Sequence, residues 1–239
     1  MKLLLFYICV LSFFAQPEPH DKWENLFNTN IESIQQAYSA NAVLVTPDGV
    51  TLKTAHDLTA FYAKLKTSIG EVKSVTTVRQ DEVTPGLSFE IGYFVTTNNK
   101  KFMHLLIGRK VNNDFVRELE ILSESNGEVA GVAGINKARN NWMALCNSHK
   151  ANELVSRAYT ENAVYYNNKR VLIGATDIVK EYRYMNNPSY QLTLTPIIVE
   201  GAGKNLAFEI GQCSGSYQGK YTLVWKKIGD TWKVLVDSN

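Results

Sequence analysis

The sequence predicts an α+β protein of two tandem domains, each with N-terminal helices packed on a curved antiparallel sheet. Three observations predict it. The tetrapeptide Phe89-Glu90-Ile91-Gly92 returns as Phe208-Glu209-Ile210-Gly211, 208 − 89 = 119 positions on, in a chain of 239 residues. Further matches surround it: Trp23 with Trp142 at 119, Tyr38 with Tyr159 at 121, Tyr62 with Tyr182 at 120 and Phe115 with Trp232 at 117. An offset that drifts by a few residues is the mark of loop insertions in a duplicated domain, and the period is too long for a solenoid. Lastly, the hydrophobic spacing changes in the same order in both halves, from helical to strand-like.

The chain opens with Met1-Lys2, an apolar run from Leu3 to Phe14, and Ala15-Gln16-Pro17. The run is too short to cross a bilayer and has the form of a signal-peptide core. Residues 1–15 are therefore expected to be a cleaved signal peptide, the mature chain to be secreted or periplasmic, and no membrane association to remain.

In the first half Trp23, Phe27, Ile31, Ile34 and Tyr38 form one helical stripe. In the second half Ile135, Ala138, Trp142 and Leu145 do so, followed by Leu154, Val155 and Ala158. Short extended pieces come next, at 42–45 and 163–166. A second helix is then read at Leu58, Phe61, Tyr62 and Leu65, and at Ile178, Val179, Tyr182 and Met185. Thr54 with Asp57 three residues later resembles a capping box. The second half ends in strands at 191–199, 206–217, 220–228 and 231–237, with Gly229-Asp230 as a hairpin turn. Residues 123–134 are small and polar and read as a linker. The domains are thus 17–122 and 135–239.

Composition narrows the function. Hydrophobic residues make up 45%, enough for packed cores, and the net charge is +2 with Lys and Arg spread along the chain. A nucleic-acid groove would need a concentrated basic excess, so no nucleic-acid partner is expected. The four histidines show no metal-binding spacing, and no P-loop, GxGxxG or nucleophile elbow occurs, so no metal and no cofactor is expected. Cys146 and Cys213 could pair in an oxidising compartment or remain small buried thiols.

The second half runs Trp142-x-Ala144, Leu154-Val155-x-x-Ala158-Tyr159-x-x-Asn162-Ala163-Val164, Gly174-Ala175-x-Asp177-Ile178, Phe208-Glu209-Ile210-Gly211, and a closing hairpin from Gly219 through Trp225 and Trp232 to Val234. This pattern resembles the nuclear transport factor 2-like (NTF2-like, cystatin-like) superfamily, in its SnoaL-like and ketosteroid-isomerase-like branch, and within that branch a bacterial domain family of unknown function. It covers nearly all of 135–239 and, with fewer matches, 21–122. The resemblance implies a cone-shaped cavity between helices and sheet. It also implies a dimer-forming outer sheet face, which in a tandem chain would make an intramolecular pseudo-dimer.

The isomerases of that branch use an aspartate after the first strand as general base. The second half has Asn167 there, which cannot take a proton, and the first half has Asp48 two residues late in a Pro47-Asp48-Gly49 turn. Asp48 and Glu209 are the catalytic candidates, with Glu90 raising the same question as Glu209 in the first half. Glu209 on its strand is either a cavity acid or a solvated outer residue, and the glycine beside it reads as a bend in the sheet. The isomerase pocket positions correspond to Trp23, Tyr38 and Tyr62, and to Trp142, Tyr159 and Tyr182. These six are read as ligand-binding residues, with plain core aromatics as the alternative. The leading expectation is non-catalytic binding of a small, largely apolar ligand. The alternatives are an isomerase-, cyclase- or hydrolase-type enzyme and a protein-interaction module.

Overall fold

The computed structural model describes residues 20–112, 114–125, 129 and 131–239. The proposed signal peptide lies outside these residues.

Each half begins with its helices. The first has α1 (Asp21–Thr29) followed by a 3-10 segment, Ile31–Ala37. The single stripe read from Trp23 to Tyr38 is therefore broken, because Asn30 takes a non-helical conformation at φ −147° and ψ 69°. Next come β1 (Tyr38–Val45), the short β2 (Thr51–Leu52) and α2 (Ala55–Ile69). Thr54 caps α2 by accepting from the Asp57 N–H at 3.0 Å. Asp57 departs from the capping box: its carboxylate accepts from the Thr54 hydroxyl at 2.7 Å. Four long strands complete the half: β3 (Val72–Thr84), β4 (Leu87–Thr96), β5 (Lys101–Val111) and β6 (Asp114–Glu124). The last strand thus takes in the first two residues of the segment read as a linker.

The second half repeats the order with α3 (Ile135–Asn147), α4 (Ala151–Ala158), β7 (Tyr159–Asn167), β8 (Arg170–Ile173), α5 (Ala175–Glu181), then β9 (Leu192–Gly201), β10 (Leu206–Gly215), β11 (Gly219–Ile228) and β12 (Thr231–Ser238). The helix read through Tyr182 and Met185 ends at Glu181, and Tyr182–Asn186 continue as a 3-10 turn. The sheets have matching strand orders, β2-β1-β6-β5-β4-β3 and β8-β7-β12-β11-β10-β9. Neighbours are antiparallel except β1 with β6 and β7 with β12. The α+β tandem architecture is as the sequence predicts.

The repeated tetrapeptide sits on β4 and β10, and alternation divides its residues between two environments. Phe89, Ile91, Phe208 and Ile210 face a hydrophobic cluster drawn from both sheets, with Leu105, Leu119 and Ile121 from one and Val164, Val224 and Val236 from the other. The outer faces of the two sheets therefore pack on one another. Glu90, Gly92, Glu209 and Gly211 face the helices. Hydrogen bonds also join the halves: Lys220 Nζ donates to Asp81 at 2.7 Å, Arg109 to Asn168 at 3.1 Å, and the Tyr166 hydroxyl to Glu118.

The glycine of the repeat has a different role from the bend read in the sequence. A Cβ at Gly211 would lie 2.3 Å from the Tyr221 ring, and one at Gly92 would lie 2.5 Å from the His104 ring. Tyr221 and His104 are the cross-strand partners of those glycines. The glycine is the space through which the partner side chain crosses the strand. The irregularity itself lies in the neighbouring edge strands, where β3 slips register between Thr77 and Arg79 and β9 slips opposite Ile210 and Gly211.

Gly211→Ala should cost about 1–3 kcal/mol or more, as overpacking does. Gly131→Ala, where a Cβ meets nothing within 4 Å, should stay within about 0.5 kcal/mol. Urea denaturation of the two variants checks the pair; equal stability would remove the clearance role.

Candidate functional site

The rings that cross the glycines reach the repeated glutamates. Both glutamate side chains are fully buried, so the solvated alternative for Glu209 is corrected: a carboxylate at this depth must be met by donors. Arg139, on α3, forks onto Glu209 with Nε at 2.6 Å and Nη2 at 2.7 Å. The Tyr221 hydroxyl donates at 2.6 Å and the Trp225 indole N–H at 2.7 Å. Four donors therefore meet two oxygens, and the carboxylate is saturated.

In the first half the matching partners are histidines. His20, at 139 − 119, and His104, at 221 − 117, replace Arg139 and Tyr221. Their Nε2 atoms lie 2.7 and 3.1 Å from Glu90 Oε1, and Thr77 donates to the same oxygen at 3.2 Å. Burial alone would raise the Glu90 pKa, but the hydrogen bonds from His104 and His20 hold it far below the usual carboxylate range. Burial pushes His104 below its ordinary value.

These three side chains come from a helix entry and two strands, which is why spacing carried no signal. Their ligating atoms lie within 4.8 Å of one another, a two-histidine, one-carboxylate set of the kind that holds zinc. The surroundings do not fit a metal. A metal-bound imidazole places its second ring proton on an acceptor. His20 Nδ1 faces the donor Nη2 of Arg117 at 3.3 Å, which puts the His20 proton on Nε2 and turns it toward Glu90. Among the described residues His104 Nδ1 has no partner.

The six predicted pocket residues form two matching networks deeper in each cone. The Trp23 indole donates to the Tyr38 hydroxyl at 3.1 Å, and Tyr38 lies 2.8 Å from the Tyr62 hydroxyl and donates to Glu120. The Trp142 indole donates to Tyr159 at 2.9 Å, and Tyr159 and Tyr182 both donate to Asp237, the first at 2.5 Å. All six are buried. The two acids stand at 237 − 120 = 117, the offset that already relates Phe115 to Trp232, so extending the repeat to the last strand would have found them.

The acids differ in charge compensation. Arg117 donates to Glu120 at 2.8 Å and stacks over the Trp23 ring at 4.3 Å. The second half has Val234 at the position of Arg117, 117 residues on. With no cation beside it among the described residues, Asp237 is pushed up to about 6 by burial, and its tyrosine hydrogen bonds only partly offset the shift.

The interiors also differ in space. Phe94 and Phe102 are cross-strand partners whose rings stack at 5.1 Å and fill the first cone. Their counterparts, at 119 and 117, are Cys213 and Gly219, again cross-strand partners. Next to Asp237 lies a cavity of about 10 Å3 bounded by Trp142, Tyr182, Cys213 and Tyr221, about the size of one water. Asn239 borders it and also borders an open cleft of about 350 Å3 above. Tyr165, Tyr184, Tyr190 and Tyr217 wall this cleft, none of them singled out by sequence reasoning. Asn167, at the place of the isomerase base, lies in it too.

Asp48 is exposed, accepts from the Thr46 hydroxyl in its turn, and borders a surface pocket of about 490 Å3 with Phe61 and Lys64. Cys146 and Cys213 are free, and burial pushes both thiols up to about 12.

No protein-family model matches the chain, and no curated protein matches it. Similar solved structures include an NTF-2-like protein of unknown function from Shewanella oneidensis MR-1, at 18% identity over 44% of this chain and 94% of that chain, with a TM-score of 0.40. A DUF4783 family protein from Bacteroides ovatus ATCC 8483 matches at 19% over 47% and 99%, with a TM-score of 0.36. A domain of unknown function with a cystatin-like fold from Nostoc punctiforme PCC 73102 matches at 14% over 53% and 82%, with a TM-score of 0.38.

Arg139→Met leaves Glu209 buried without its cation and should cost about 3–5 kcal/mol by chemical denaturation. Adding Glu209→Gln should recover part of that loss. The pH dependence of the two halves should have opposite sign. The folded pKa of Asp237 lies above its ordinary 3.8, so its contribution is complete below pH 4 and is lost as pH rises to about 6. The loss is on the order of 3 kcal/mol, and Asp237→Asn should abolish it in melts between pH 4 and 7. Glu90, with its pKa lowered from 4.5, contributes above pH 4.5 and loses that contribution as pH falls. Glu90→Gln should flatten the acid limb instead.

Proposed function

We propose that the chain binds a small ligand in the tyrosine cleft of its second half without transforming it, while the first half is a packed scaffold. The observation that carries this reading is the exchange of the stacked Phe94–Phe102 pair for Cys213 and Gly219 at matching positions. At these positions the first copy is filled by rings, whereas the second keeps a water-sized cavity below its cleft. The first half's own pocket, about 490 Å3, lies beside Asp48, Phe61 and Lys64 and carries none of the tyrosines. The cleft, at about 350 Å3, falls within the roughly 300–1,000 Å3 of small-molecule sites. Trp142, Tyr159 and Tyr182 act as its supporting floor, with Asp237 beneath them.

Binding without turnover is supported by the state of the predicted bases, and by the pairing of Glu181, a carboxylate of the cleft lining, with Arg170 at 2.8 Å. Asn167 carries an amide, Asp48 sits in an exposed turn of the other half, and Glu209 is saturated by its four donors. The apolar run at 3–14 supports export by a signal peptide, and the sheet–sheet cluster supports reading the halves as an intramolecular pseudo-dimer.

The test is a thermal-shift screen with steroid-like, aromatic and sugar compounds. A ligand at one hundred times its Kd stabilises by about 2.7 kcal/mol, a shift of several degrees. Tyr184→Ala, at a position 43% exposed, should remove the shift without unfolding the chain. A screen with no shift, or shifts that survive this variant, would overturn the reading.

A further inference from the structure

We propose that the tyrosine cleft is a carbohydrate site, taking a pyranose ring or short oligosaccharide against its aromatic faces. This rests on the reading of the cleft as a ligand site and names the class of ligand.

The argument is one of matching surfaces. A pyranose has apolar faces made of C–H bonds and a rim of hydroxyls, each both donor and acceptor. Its receptor needs rigid apolar planes with neutral groups beside them that donate as well as accept. The tyrosines supply the planes. Tyr184 and Tyr190 stand at 66° with centroids 5.3 Å apart, and Tyr184 turns 43% of its surface outward. Tyr217 lies over Gly219, where a Cβ would come within 2.4 Å of its hydroxyl.

The rim groups are supplied at the floor. Asn167 Nδ2 donates to the Tyr165 hydroxyl at 3.2 Å, which donates to Asn239 Oδ1 at 3.0 Å. Each amide keeps further donor or acceptor capacity. Ser216 accepts from the Gln191 N–H at 2.9 Å, which leaves its own proton for a ligand oxygen. Glu181 adds an acceptor whose charge is already balanced by Arg170 at 2.8 Å.

Other ligand classes fit less well. Among the described residues the lining consists of Tyr, Asn, Ser and Glu. A wholly apolar ligand would cover the Asn amides without giving them partners, leaving their desolvation uncompensated. A phosphate or carboxylate would meet Glu181 and no lining cation. The first half has Leu44, Thr46, Phe61 and Lys64 at the positions of Tyr165, Asn167, Glu181 and Tyr184, by offsets of 121, 121, 120 and 120. The chemistry therefore belongs to the second half alone.

The experiment uses the full chain, saturation-transfer NMR and calorimetry. One panel holds soluble gluco-, galacto-, manno- and N-acetylglucosamine oligosaccharides; a second holds steroids and planar aromatics. At least one oligosaccharide should bind with its ring C–H protons saturated. Tyr184→Ala and Tyr190→Ala should each weaken it about tenfold or more, and Asn167→Ala should also weaken it. Tyr184→Phe, which keeps the plane, should stay within about threefold. Lys64→Ala in the first half should change nothing. Steroids or aromatics that bind and are lost in the tyrosine variants, with no sugar binding, would overturn the sugar class and keep the cleft. No binding from either panel would overturn both readings. Sugar binding that survives Tyr184→Ala and Tyr190→Ala would overturn the location.

Discussion

A carboxylate with no access to water has to be surrounded by donors, and this chain builds each half around one. Glu209 takes both prongs of Arg139, the Tyr221 hydroxyl and the Trp225 indole. Much follows from that requirement. Arg139 lies on α3, so satisfying the glutamate fixes the first helix over the sheet. Tyr221 comes from the next strand and can reach only across a residue without a side chain, which is why the glycine follows two residues behind the glutamate. The alternate residues, Phe208 and Ile210, are thereby committed to the opposite face and to the packing between sheets. One tetrapeptide specifies both sides of its strand.

The two copies solve the problem with different chemistry. The first replaces arginine and tyrosine by His20 and His104, which meet Glu90 through their Nε2 atoms while Arg117 stands behind His20. Arg117 also neutralises Glu120, so the first cone is held by a charged polar network with stacked phenylalanines filling the remaining volume. The second cone has valine in place of that arginine, and burial keeps the proton on Asp237 toward neutral pH, with the tyrosine hydroxyls only partly offsetting it. With valine in place of the arginine and Cys213 and Gly219 in place of the phenylalanines, the second copy keeps a water-sized cavity beside Asp237, below its tyrosine cleft. Duplication permits this divergence, since the sheet–sheet cluster joins the two copies.

Much of this was legible in the sequence, and the reason is periodicity. The repeat of Phe-Glu-Ile-Gly, the offsets of 117 to 121 and the switch from helical to alternating spacing are local or translational signals, and they determined two α+β copies and their strand faces. The same offsets matched Trp23, Tyr38 and Tyr62 to their second-half partners, and the resemblance to the isomerase branch grouped each trio in one constellation. The sequence could not decide what those groups touch. His20, Glu90 and His104 are brought together by a helix entry and two strands; Asp237 meets Tyr159 and Tyr182 across the sheet. Four tyrosines from a strand, a 3-10 turn and two loops line one cleft. Whether a glycine bends a strand or lets a ring pass, whether a strand glutamate is solvated or saturated, and whether a cone is filled or open depend on atoms far apart in the chain. Those were decided only by the tertiary structure, because burial and hydrogen-bond partnership are properties of neighbours in space.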